Sequence, residues 1–256
     1  MANYDILGNI AVVKFNHNVK ATTKRKIAER ILKENKSVRT ILEKVGKFSG
    51  RLRTIKTKHL LGEKTKEALY KENSCVFRFN IDSCYFSSRL ASERLEIAKK
   101  VKPGERVLVM FSGVAPFPIA ISRFSKAREI VAVELGRECN KYAQENVKRS
   151  KISNIVLVSG DVKRKVPKLK GRFERIVMAR PNLKQSFLDV AFKKIAKNGA
   201  IHYYGFYNED KIKELSNLIE EEARKAKKKI KILKIKKAGD IAPYKFRWRV
   251  DFRVLK

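Results

Sequence analysis

A small-residue turn, and an acidic residue 21 positions beyond its glycine, have the types and the spacing of a nucleoside site. The turn is Phe111-Ser112-Gly113-Val114-Ala115-Pro116-Phe117, and the acid is Glu134. Gly113 lets the backbone approach a ligand closely, and a carboxylate about 20 residues further on can accept hydrogen bonds from both hydroxyls of a ribose. The turn alone is equally typical of plain helix–strand packing, so Glu134 decides the interpretation.

The same segment lacks the motifs that hold phosphate groups. It contains neither GxGxxG, typical of dinucleotide sites, nor GxxxxGK[ST], typical of nucleoside triphosphate sites. A nucleoside without phosphates therefore fits better, and S-adenosyl-L-methionine is the commonest such cofactor. The residues expected to contact it are Phe111, Ser112, Gly113, Val114, Ala115, Glu134, Leu135, Asp161, Val162 and Ala179.

Asp161 follows the third strand of this region and is a candidate contact for an adenine amino group. The carboxyl ends of strands face the ligand crevice in open α/β sheets, and a carboxylate there can accept from an amino group. An aspartate beside Gly160 is also a common turn residue. Without the glycine turn and Glu134, the interpretation of Asp161 as a turn residue is preferred.

Alternating strands and helices from Asn73 onward must position these residues. Short apolar runs predict strands, and amphipathic stretches between them predict helices. The predicted strands cover 75–82, 106–110, 130–134, 155–158, 175–179, 200–204 and 246–254, and the predicted helices cover about 90–100, 119–124, 137–149, 184–197 and 209–228. Ser88 is the expected N-cap of the first helix, and Pro116 can open the second. Residues 73–256 are thus expected to form an α/β domain with a mixed, mostly parallel sheet and helices on both faces.

Residues 1–72 form a separate, small α+β domain in this interpretation. A strand is predicted over 10–15, followed by a basic helix from about Thr23 to Asn35 and by another short strand or two. Between Lys44 and Lys58, glycines are mixed with cationic residues. This composition suits contact with an RNA backbone, and it equally suits a solvated basic hairpin.

The excess of positive charge favours a polyanionic partner. The chain has 256 residues, with 61 Lys and Arg against 26 Asp and Glu, which gives a formal net charge of +35. Compositional drift and heat adaptation also enrich lysine, but in heat adaptation glutamate rises with it, and here the acids do not keep pace. Nucleic acid is therefore the favoured partner.

Metal, disulfide and membrane sites are not indicated. The three cysteines form no CxxC motif, and the three histidines have no zinc-ligand spacing with them. These residues are Cys75, Cys84, Cys139, His17, His59 and His202. The N-terminus lacks the apolar core of a signal peptide, and no run approaches the roughly 20 apolar residues of a membrane span. A cytoplasmic protein is expected.

Four segments carry a more specific signature. They are Gly50-Arg51-Leu52-Arg53-Thr54, Tyr85-Phe86-Ser87-Ser88-Arg89-Leu90-Ala91-Ser92-Glu93-Arg94, Met110-Phe111-Ser112-Gly113-Val114-Ala115-Pro116-Phe117 and Ile201-His202-Tyr203-Tyr204. Together they resemble the archaeal and eukaryotic type tRNA (guanine-37 N1)-methyltransferases, over nearly the whole chain. The resemblance implies a class I, Rossmann-like methyltransferase domain after a small RNA-binding domain. It also implies S-adenosylmethionine as cofactor and tRNA as partner of a monomeric enzyme.

The resemblance assigns roles to individual side chains. Glu93 matches the general base, Arg53 the partner of the guanine carbonyl oxygen, and Tyr85 a residue that supports the site. The substrate contacts that it implies are Arg89, Arg180, Pro181 and Tyr203.

The chemistry of methyl transfer to guanine requires a pair of this kind. Guanine N1 carries a proton, which a carboxylate can accept while the methyl group moves to nitrogen. A fixed guanidinium stabilises the charge that develops on the carbonyl oxygen. Without the matching motifs, Glu93 would be interpreted as a first-turn helix acid and Arg53 as a phosphate contact.

Some positions depart from the family pattern. Ala179-Arg180-Pro181 stands where members often have Asn-Leu-Pro, so an amide contact to guanine is absent or replaced. Val109 stands where many members have Asp. An extra N-terminal domain that grips the tRNA elbow has no room before Asn3, so recognition is expected to lean on the anticodon arm and on diffuse charge.

Two rival functions remain open. Relatives in the wyosine pathway methylate a tricyclic guanosine derivative, or transfer an aminocarboxypropyl group from the same cofactor, at the same tRNA position. A basic RNA-binding protein whose cofactor pocket is a relic belongs to a different class. The mass added to the tRNA distinguishes methyl transfer from aminocarboxypropyl transfer. Absence of cofactor binding would favour the RNA-binding protein with a relic pocket.

Overall fold

The computed structural model describes residues 3–16 and 18–255. The chain divides into two compact units, Met1–Ser88 and Arg89–Lys256. His17, one of the histidines considered above, lies outside the described residues. The domain boundary expected near Asn73 falls in the turn between two paired strands of the first unit. As a division between an RNA-binding part and a cofactor-binding part, it stays a prediction.

The first unit contains a four-stranded sheet with one helix and a separate two-stranded sheet. Its elements are β1 (Asn3–Leu7), β2 (Ile10–Lys14), α1 (Ala21–Glu34), β3 (Thr40–Ser49), β4 (Thr54–Gly62), β5 (Glu67–Glu72) and β6 (Cys75–Asn80). The larger sheet has the order β1-β2-β3-β4, with β2 and β3 parallel and the outer pairs antiparallel. Ala28 and Ile31 of α1 pack on Ala11, Val13 and Ile41 of this sheet, because they form the apolar stripe of the helix.

The predictions for the first unit are confirmed in part. The strand at 10–15 and the helix at 23–35 are present as β2 and α1. The basic segment from Lys44 to Lys58 forms most of the β3–β4 hairpin, whose strands are longer than predicted. The sequence does not indicate β1 and β5, because both are partly exposed strands without a clear apolar alternation.

The second unit contains one seven-stranded sheet. Its elements are α2 (Ala91–Lys100), β7 (Arg106–Met110), α3 (Pro116–Phe124), β8 (Glu129–Glu134), α4 (Arg137–Arg149), β9 (Ile155–Ser159), α5 (Val162–Lys165), β10 (Phe173–Met178), α6 (Leu188–Lys194), β11 (Ile195–Asn208), α7 (Ile212–Lys225), β12 (Ile230–Ala242) and β13 (Lys245–Val254). The strand order is β12-β13-β11-β10-β7-β8-β9. The strands from β11 to β9 in this order are parallel, and β13 is antiparallel to both of its neighbours. The expected Rossmann-like α/β fold with a mixed, mostly parallel sheet is confirmed.

The central strand β7 shows why this sheet forms. Val107, Leu108, Val109 and Met110 are all fully buried. Leu108 and Met110 belong to one core cluster with α6 and α7, whereas Val107 and Val109 belong to another with α2 and α3. A parallel strand that is covered by helices on both faces must be apolar throughout, and this run of residues satisfies that requirement.

Several local predictions for the second unit are wrong. Ser88 does not cap α2, because it begins a 3-10 turn, and Leu90 holds the N-cap position without a side-chain hydrogen bond. The helix predicted over 184–197 is shorter: α6 starts at Leu188, and β11 already begins at Ile195. The sequence does not indicate β12, because many of its side chains are exposed.

Two further findings concern the described part of the chain. None of its helices is long and apolar enough to cross a membrane. It also contains no group of three or more His, Cys, Asp or Glu side chains that could hold a metal ion.

Candidate active site

The register of the parallel strands brings the predicted cofactor residues to one edge of the sheet. Met110 of β7 pairs with Val133 of β8 and with Met178 of β10. The turn after β7, Glu134 at the end of β8 and Ala179 after β10 therefore lie side by side. This is the carboxyl edge of the sheet, where ligands bind in open α/β folds.

Glu134 connects the turns that follow three neighbouring strands. Its Oε2 accepts a hydrogen bond from Gly113 N at 2.8 Å, and its Oε1 accepts one from Gly136 N at 2.7 Å. Its backbone oxygen accepts from Gly160 N at 2.7 Å, which adds the end of β9. Burial raises the pKa of Glu134 above its ordinary value, although the backbone donors act in the opposite direction. A carboxylate offers about four acceptor sites, so capacity remains for a ribose hydroxyl.

The turn after β7 is built from residues in the left-handed conformation. The φ angle is +63° at Phe111, +56° at Gly113 and +68° at Ala115. Glycine adopts this conformation readily, whereas each of the other residues costs about 1–3 kcal/mol, and such strain clusters at functional sites. The Phe111 ring packs edge-on against Phe187, with the ring centroids 5.0 Å apart. The surrounding core therefore holds the strained turn in place.

Asp161 has the turn role that was its alternative interpretation. Its Oδ1 accepts a hydrogen bond from Lys163 N at 2.8 Å, so it caps the short helix α5. The predicted contact to adenine stays a prediction. Of the other predicted site residues, Ser112, Val114 and Val162 are buried, Ala179 and Pro181 are partly buried, and Leu135 and Arg89 are exposed.

Glu93 lies in the first turn of α2 and is buried among donors. Its Oε2 accepts hydrogen bonds from Arg249 Nη1 at 2.5 Å and from Tyr204 Oη at 3.2 Å. Lys236 Nζ lies 2.7 Å from its Oε1. Only 4% of Glu93 is exposed, and Arg249 is fully buried. These contacts fix the orientation of the carboxylate, and acceptor capacity remains on Oε1.

Three carboxylates share the Arg249 guanidinium. Besides Glu93, it contacts Glu96 Oε1 through Nη2, and its Nε lies 2.9 Å from Asp251 Oδ1. The hydrogen bond from Arg249 is the main reason that the pKa of Glu96 is lowered to about 2. The pKa of Asp251 is also lowered to about 2: burial opposes the shift, and the hydrogen bond from His202 drives it.

Sequence reasoning missed the partners of Glu93. The sequence does not place Tyr204, Lys236 or Arg249 near it. Lys236 lies in β12, which the sequence does not indicate, and alternating charges such as those around Arg249 usually mark a solvent-exposed face. The available signal was that Arg249 and Asp251 place opposite charges on the same face of β13. Side chains of opposite charge at positions i and i+2 of a strand can support each other when that face is buried.

His202 extends this group of charges across the sheet. Its Nδ1 lies 2.7 Å from Asp251 Oδ1, and its Nε2 lies 2.7 Å from Arg175 Nη1. A guanidinium can only donate, so Nε2 is the acceptor and the ring proton resides on Nδ1. Burial lowers the pKa of His202. Protonation would also place an N–H on Nε2 directly against the N–H of Arg175 Nη1.

Arg53 and Tyr85 belong to the first unit and contact each other there. The Cζ atom of Arg53 lies 4.0 Å from the centroid of the Tyr85 ring and 5.4 Å from that of Phe48, which is cation–π geometry. Arg53 has a φ of +54°, which is uncommon for a residue other than glycine. The contact gives Tyr85 a means of orienting the guanidinium. The chemical roles of both residues stay predictions.

Arg180 folds back onto the loop that follows β10. Its Nη2 donates to Leu183 O and, at 2.7 Å, to Gln185 O, and its Cζ lies 5.5 Å from the centroid of the Tyr203 ring. Burial lowers the pKa of Arg180 and raises that of Tyr203 to about 12. Within the described residues, Arg180 Nε, Tyr203 Oη and Ser112 Oγ are buried without a hydrogen-bond partner. Buried polar atoms normally have one, so these three are candidates for ligand contact.

Comparison with known proteins identifies the family. A family model described as the TRM5/TYW2 methyltransferase domain matches residues 68–233, and one described as the TYW2 N-terminal domain matches residues 1–65. The chain belongs to the TRM5/TYW2 methyltransferase family. The family resemblance noted from the sequence motifs is confirmed.

Relatives from two branches of the family cover most of the chain. The tRNA (guanine(37)-N(1))-methyltransferase Trm5b of Pyrococcus abyssi is 33% identical over 98% of this chain and 74% of its own length. The tRNA(Phe) (4-demethylwyosine(37)-C(7)) aminocarboxypropyltransferase of Methanocaldococcus jannaschii is 30% identical over 78% of this chain and 77% of its own length. The crystal structure of P. abyssi Trm5b has a TM-score of 0.89 at 32% identity, covering 99% of this chain and 75% of that one.

The ring of His202 should make the second unit less stable in mild acid. Because its pKa is lowered on folding, the unfolded chain binds more protons below about pH 6.5, and the free energy of unfolding falls as the pH is lowered through that window. One proton gives a slope of at most about 1.4 kcal/mol per pH unit. His202→Gln should remove this slope between pH 7.5 and 5.5, measured by denaturant unfolding with the fluorescence of Trp248, the only tryptophan. His59→Gln, a histidine of the first unit, should keep it. An unchanged slope in His202→Gln would contradict the assignment.

Glu134→Gln should weaken cofactor binding. The amide keeps one acceptor oxygen but places an NH₂ group against the N–H of either Gly113 or Gly136. The turn after β7 or the turn after β8 therefore loses a hydrogen bond. We expect the dissociation constant for S-adenosylhomocysteine, measured by calorimetry, to rise about tenfold or more, or roughly 1.4 kcal/mol. Glu138→Gln, an exposed acid in the first turn of α4, is the matched control and should bind normally. Equal affinities in the two variants would exclude the role given to Glu134.

Proposed function

We propose that this protein transfers a methyl group from S-adenosylmethionine to N1 of guanosine 37 in tRNA. The observation that carries the proposal is the similarity to P. abyssi tRNA (guanine(37)-N(1))-methyltransferase Trm5b along almost the entire chain. The buried, oriented carboxylate of Glu93 in the second unit provides the chemical group that this reaction requires.

The cofactor binds at the carboxyl edge of the sheet and supplies the methyl group. The crystal structure of M. jannaschii Trm5 in complex with adenosine has a TM-score of 0.83 at 25% identity, covering 99% of this chain and 72% of that chain, and so supports a nucleoside site in this fold. In this chain the backbone of the turn from Phe111 to Ala115 lies against the cofactor. Glu134 accepts from the ribose, and Asp161 lies at the neighbouring strand end.

Glu93 is the proposed general base. It accepts the proton of guanine N1 on the oxygen that faces Lys236, while Arg249 and Tyr204 hold the other oxygen in place. Arg53, oriented by Tyr85, donates to the guanine carbonyl oxygen, where negative charge develops. Arg89, Arg180, Pro181 and Tyr203 are the proposed substrate contacts.

Ala179 stands where the family motif usually has asparagine, and the neighbouring Arg180 is the proposed replacement for the missing amide. An asparagine side chain both donates and accepts, but a guanidinium only donates. Any contact from Arg180 to guanine is therefore to an acceptor, either the carbonyl oxygen or a ring nitrogen. Its free Nε and its position above the Tyr203 ring support this assignment.

The proposed partner is the anticodon arm of tRNA. A complex of aTrm5 with tRNALeu is known, and that protein has a TM-score of 0.84 with this chain at 26% identity. The net charge of +35 supports the same partner. The proposed enzyme acts as a monomer in the cytoplasm of an archaeon.

A wyosine-pathway activity is the second candidate. Two observations favour it: the TYW2 N-terminal domain model matches residues 1–65, and an aminocarboxypropyltransferase is among the relatives at 30% identity. Both activities use the same cofactor and the same tRNA position, and the mass of the transferred group distinguishes them.

Methylation of defined transcripts tests the main proposal. Purified protein should transfer label from the cofactor's methyl group to a tRNA transcript with G at position 37 and not to the matched transcript with A. Mass spectrometry of the digested product should find a methyl group on guanosine and not the heavier aminocarboxypropyl group. Transfer of that heavier group, or equal methylation of both transcripts, would contradict the proposal.

Glu93→Gln should abolish most of the turnover. The amide keeps the shape and the hydrogen bond to Arg249 but cannot take the N1 proton, so we expect the kcat to fall by about 10²–10⁴. The tRNA affinity should stay within about threefold, because the change removes no phosphate contact.

Glu96→Gln is the matched control for this variant. Glu96 shares Arg249 and Lys236 with Glu93 but has no role in the reaction, so its variant should lose far less than Glu93→Gln. Trp248 fluorescence checks that both variants are folded. Near-normal turnover of Glu93→Gln would remove Glu93 as the base.

A further inference from the structure

A basic cleft lies at the edge of the second unit's sheet that is opposite the cofactor residues. Its volume is about 520 Å³, and its lining includes Glu105 before β7, Arg128 before β8 and Arg175 in the first half of β10. At roughly 3.3 Å per residue, the five residues of β7 place this edge about 16 Å from the turn at Phe111. The cleft is therefore separate from the site described above.

Four cationic side chains around this cleft are exposed and have no ion-pair partner in the described part of the chain. They are Lys102, Arg128, Lys197 and Arg253. Of the two carboxylates in the lining, Glu105 pairs with Arg175 at 2.7 and 2.9 Å, whereas Glu174 accepts from the neutral backbone N–H of Arg106 at 2.8 Å and keeps its charge. The charged lining residues, five cations against two acids, therefore sum to +3. The cleft thus holds uncompensated positive charge in a concave surface, which raises the local potential.

We propose that this cleft binds the phosphodiester backbone of the tRNA substrate. The four free cations would neutralise phosphates that enter the cleft, and the counterions condensed on the RNA would be released. This release of counterions supplies much of the affinity between proteins and nucleic acids. None of the described residues that line it is aromatic, so it offers no platform on which a base could stack. It therefore holds backbone without reading sequence.

The inference rests on the proposed function only in taking tRNA as the ligand. A phosphate contact on the edge opposite the cofactor would anchor RNA that extends past the target nucleotide. Such an anchor raises affinity and leaves the methyl-transfer step itself unchanged.

A double substitution that removes two cations distinguishes RNA binding in the cleft from a general attraction by the protein's positive charge. The variant Lys197→Gln/Arg253→Gln removes two cations of the cleft, and Lys213→Gln/Arg224→Gln removes two exposed cations from α7 as the matched control. We expect the slope of log K against log salt for tRNA binding to drop by about 1.4–1.8 in the cleft variant, as for two lost phosphate contacts. The control should change much less, and the kcat at saturating tRNA should be normal in both. Equal slope changes in the two variants would overturn the proposal.

A crosslink locates the RNA directly. The three native cysteines are buried, so Lys197→Cys and Lys213→Cys each introduce one exposed thiol for a photoreactive group. The first should crosslink to tRNA and the second should not; the reverse would overturn the proposal. Binding is measured without methylation, so failure of the methylation assay and failure of the cleft remain distinct results.

Inorganic phosphate separates RNA from a small anion as the occupant. Calorimetric titration with phosphate alone should find no saturable site at millimolar concentration. A saturable site that Lys197→Gln/Arg253→Gln removes, with tRNA binding unaffected, would assign the cleft to a small anion and overturn its assignment to RNA.

Discussion

The carboxylate of Glu134 is the contact on which the cofactor edge depends. The carboxylate accepts hydrogen bonds from Gly113 N in the turn after β7 and from Gly136 N in the turn after β8. The backbone oxygen of Glu134 accepts a third from Gly160 N after β9. Separating these turns would leave buried donors unsatisfied, at about 1–3 kcal/mol each. These hydrogen bonds within the protein therefore help to fix the strained backbone at Phe111, and such preorganisation lowers the cost of binding.

β11 connects the two chemical parts of the second unit. Tyr203 and Tyr204 are neighbours in this strand, so their side chains lie on opposite faces of the sheet. Tyr203 packs with Arg180 in one layer, whereas Tyr204 donates to Glu93 in the other. A shift of this strand by one residue would exchange the two faces, and its long pairing with β13 prevents such a shift.

The parts of this structure that the sequence predicts are those encoded locally. Apolar runs such as 106–110 identify the strands because these strands are buried on both faces, and the chain order then places Glu134 beside the turn at Gly113. The partners of Glu93 could not be predicted in this way. Arg249 is 156 residues away in the chain, and the contact depends on where β13 enters the sheet.

The failed helix prediction has a similar cause. The predicted helix begins at about residue 184, but the side chain of Arg180 donates hydrogen bonds to the backbone oxygens of Leu183 and Gln185. Those oxygens are therefore held in a loop, and α6 starts only at Leu188. A local sequence pattern contains no information about a guanidinium that reaches back to it.

The ionic group around Glu93 is electrically neutral, in a chain whose formal charge is +35. Its three acids and three bases are Glu93, Glu96, Asp251, Arg249, Lys236 and Lys100. Losing a single member leaves an uncompensated charge, which costs about 3–5 kcal/mol where the pair is buried, whereas losing an acid and a base together keeps the balance. Divergence at the buried members should therefore proceed by compensating exchanges. A library of single substitutions would score Arg249 and Asp251 as far less tolerant than the partly exposed Glu96, Lys100 and Lys236, even where a double replacement is accepted.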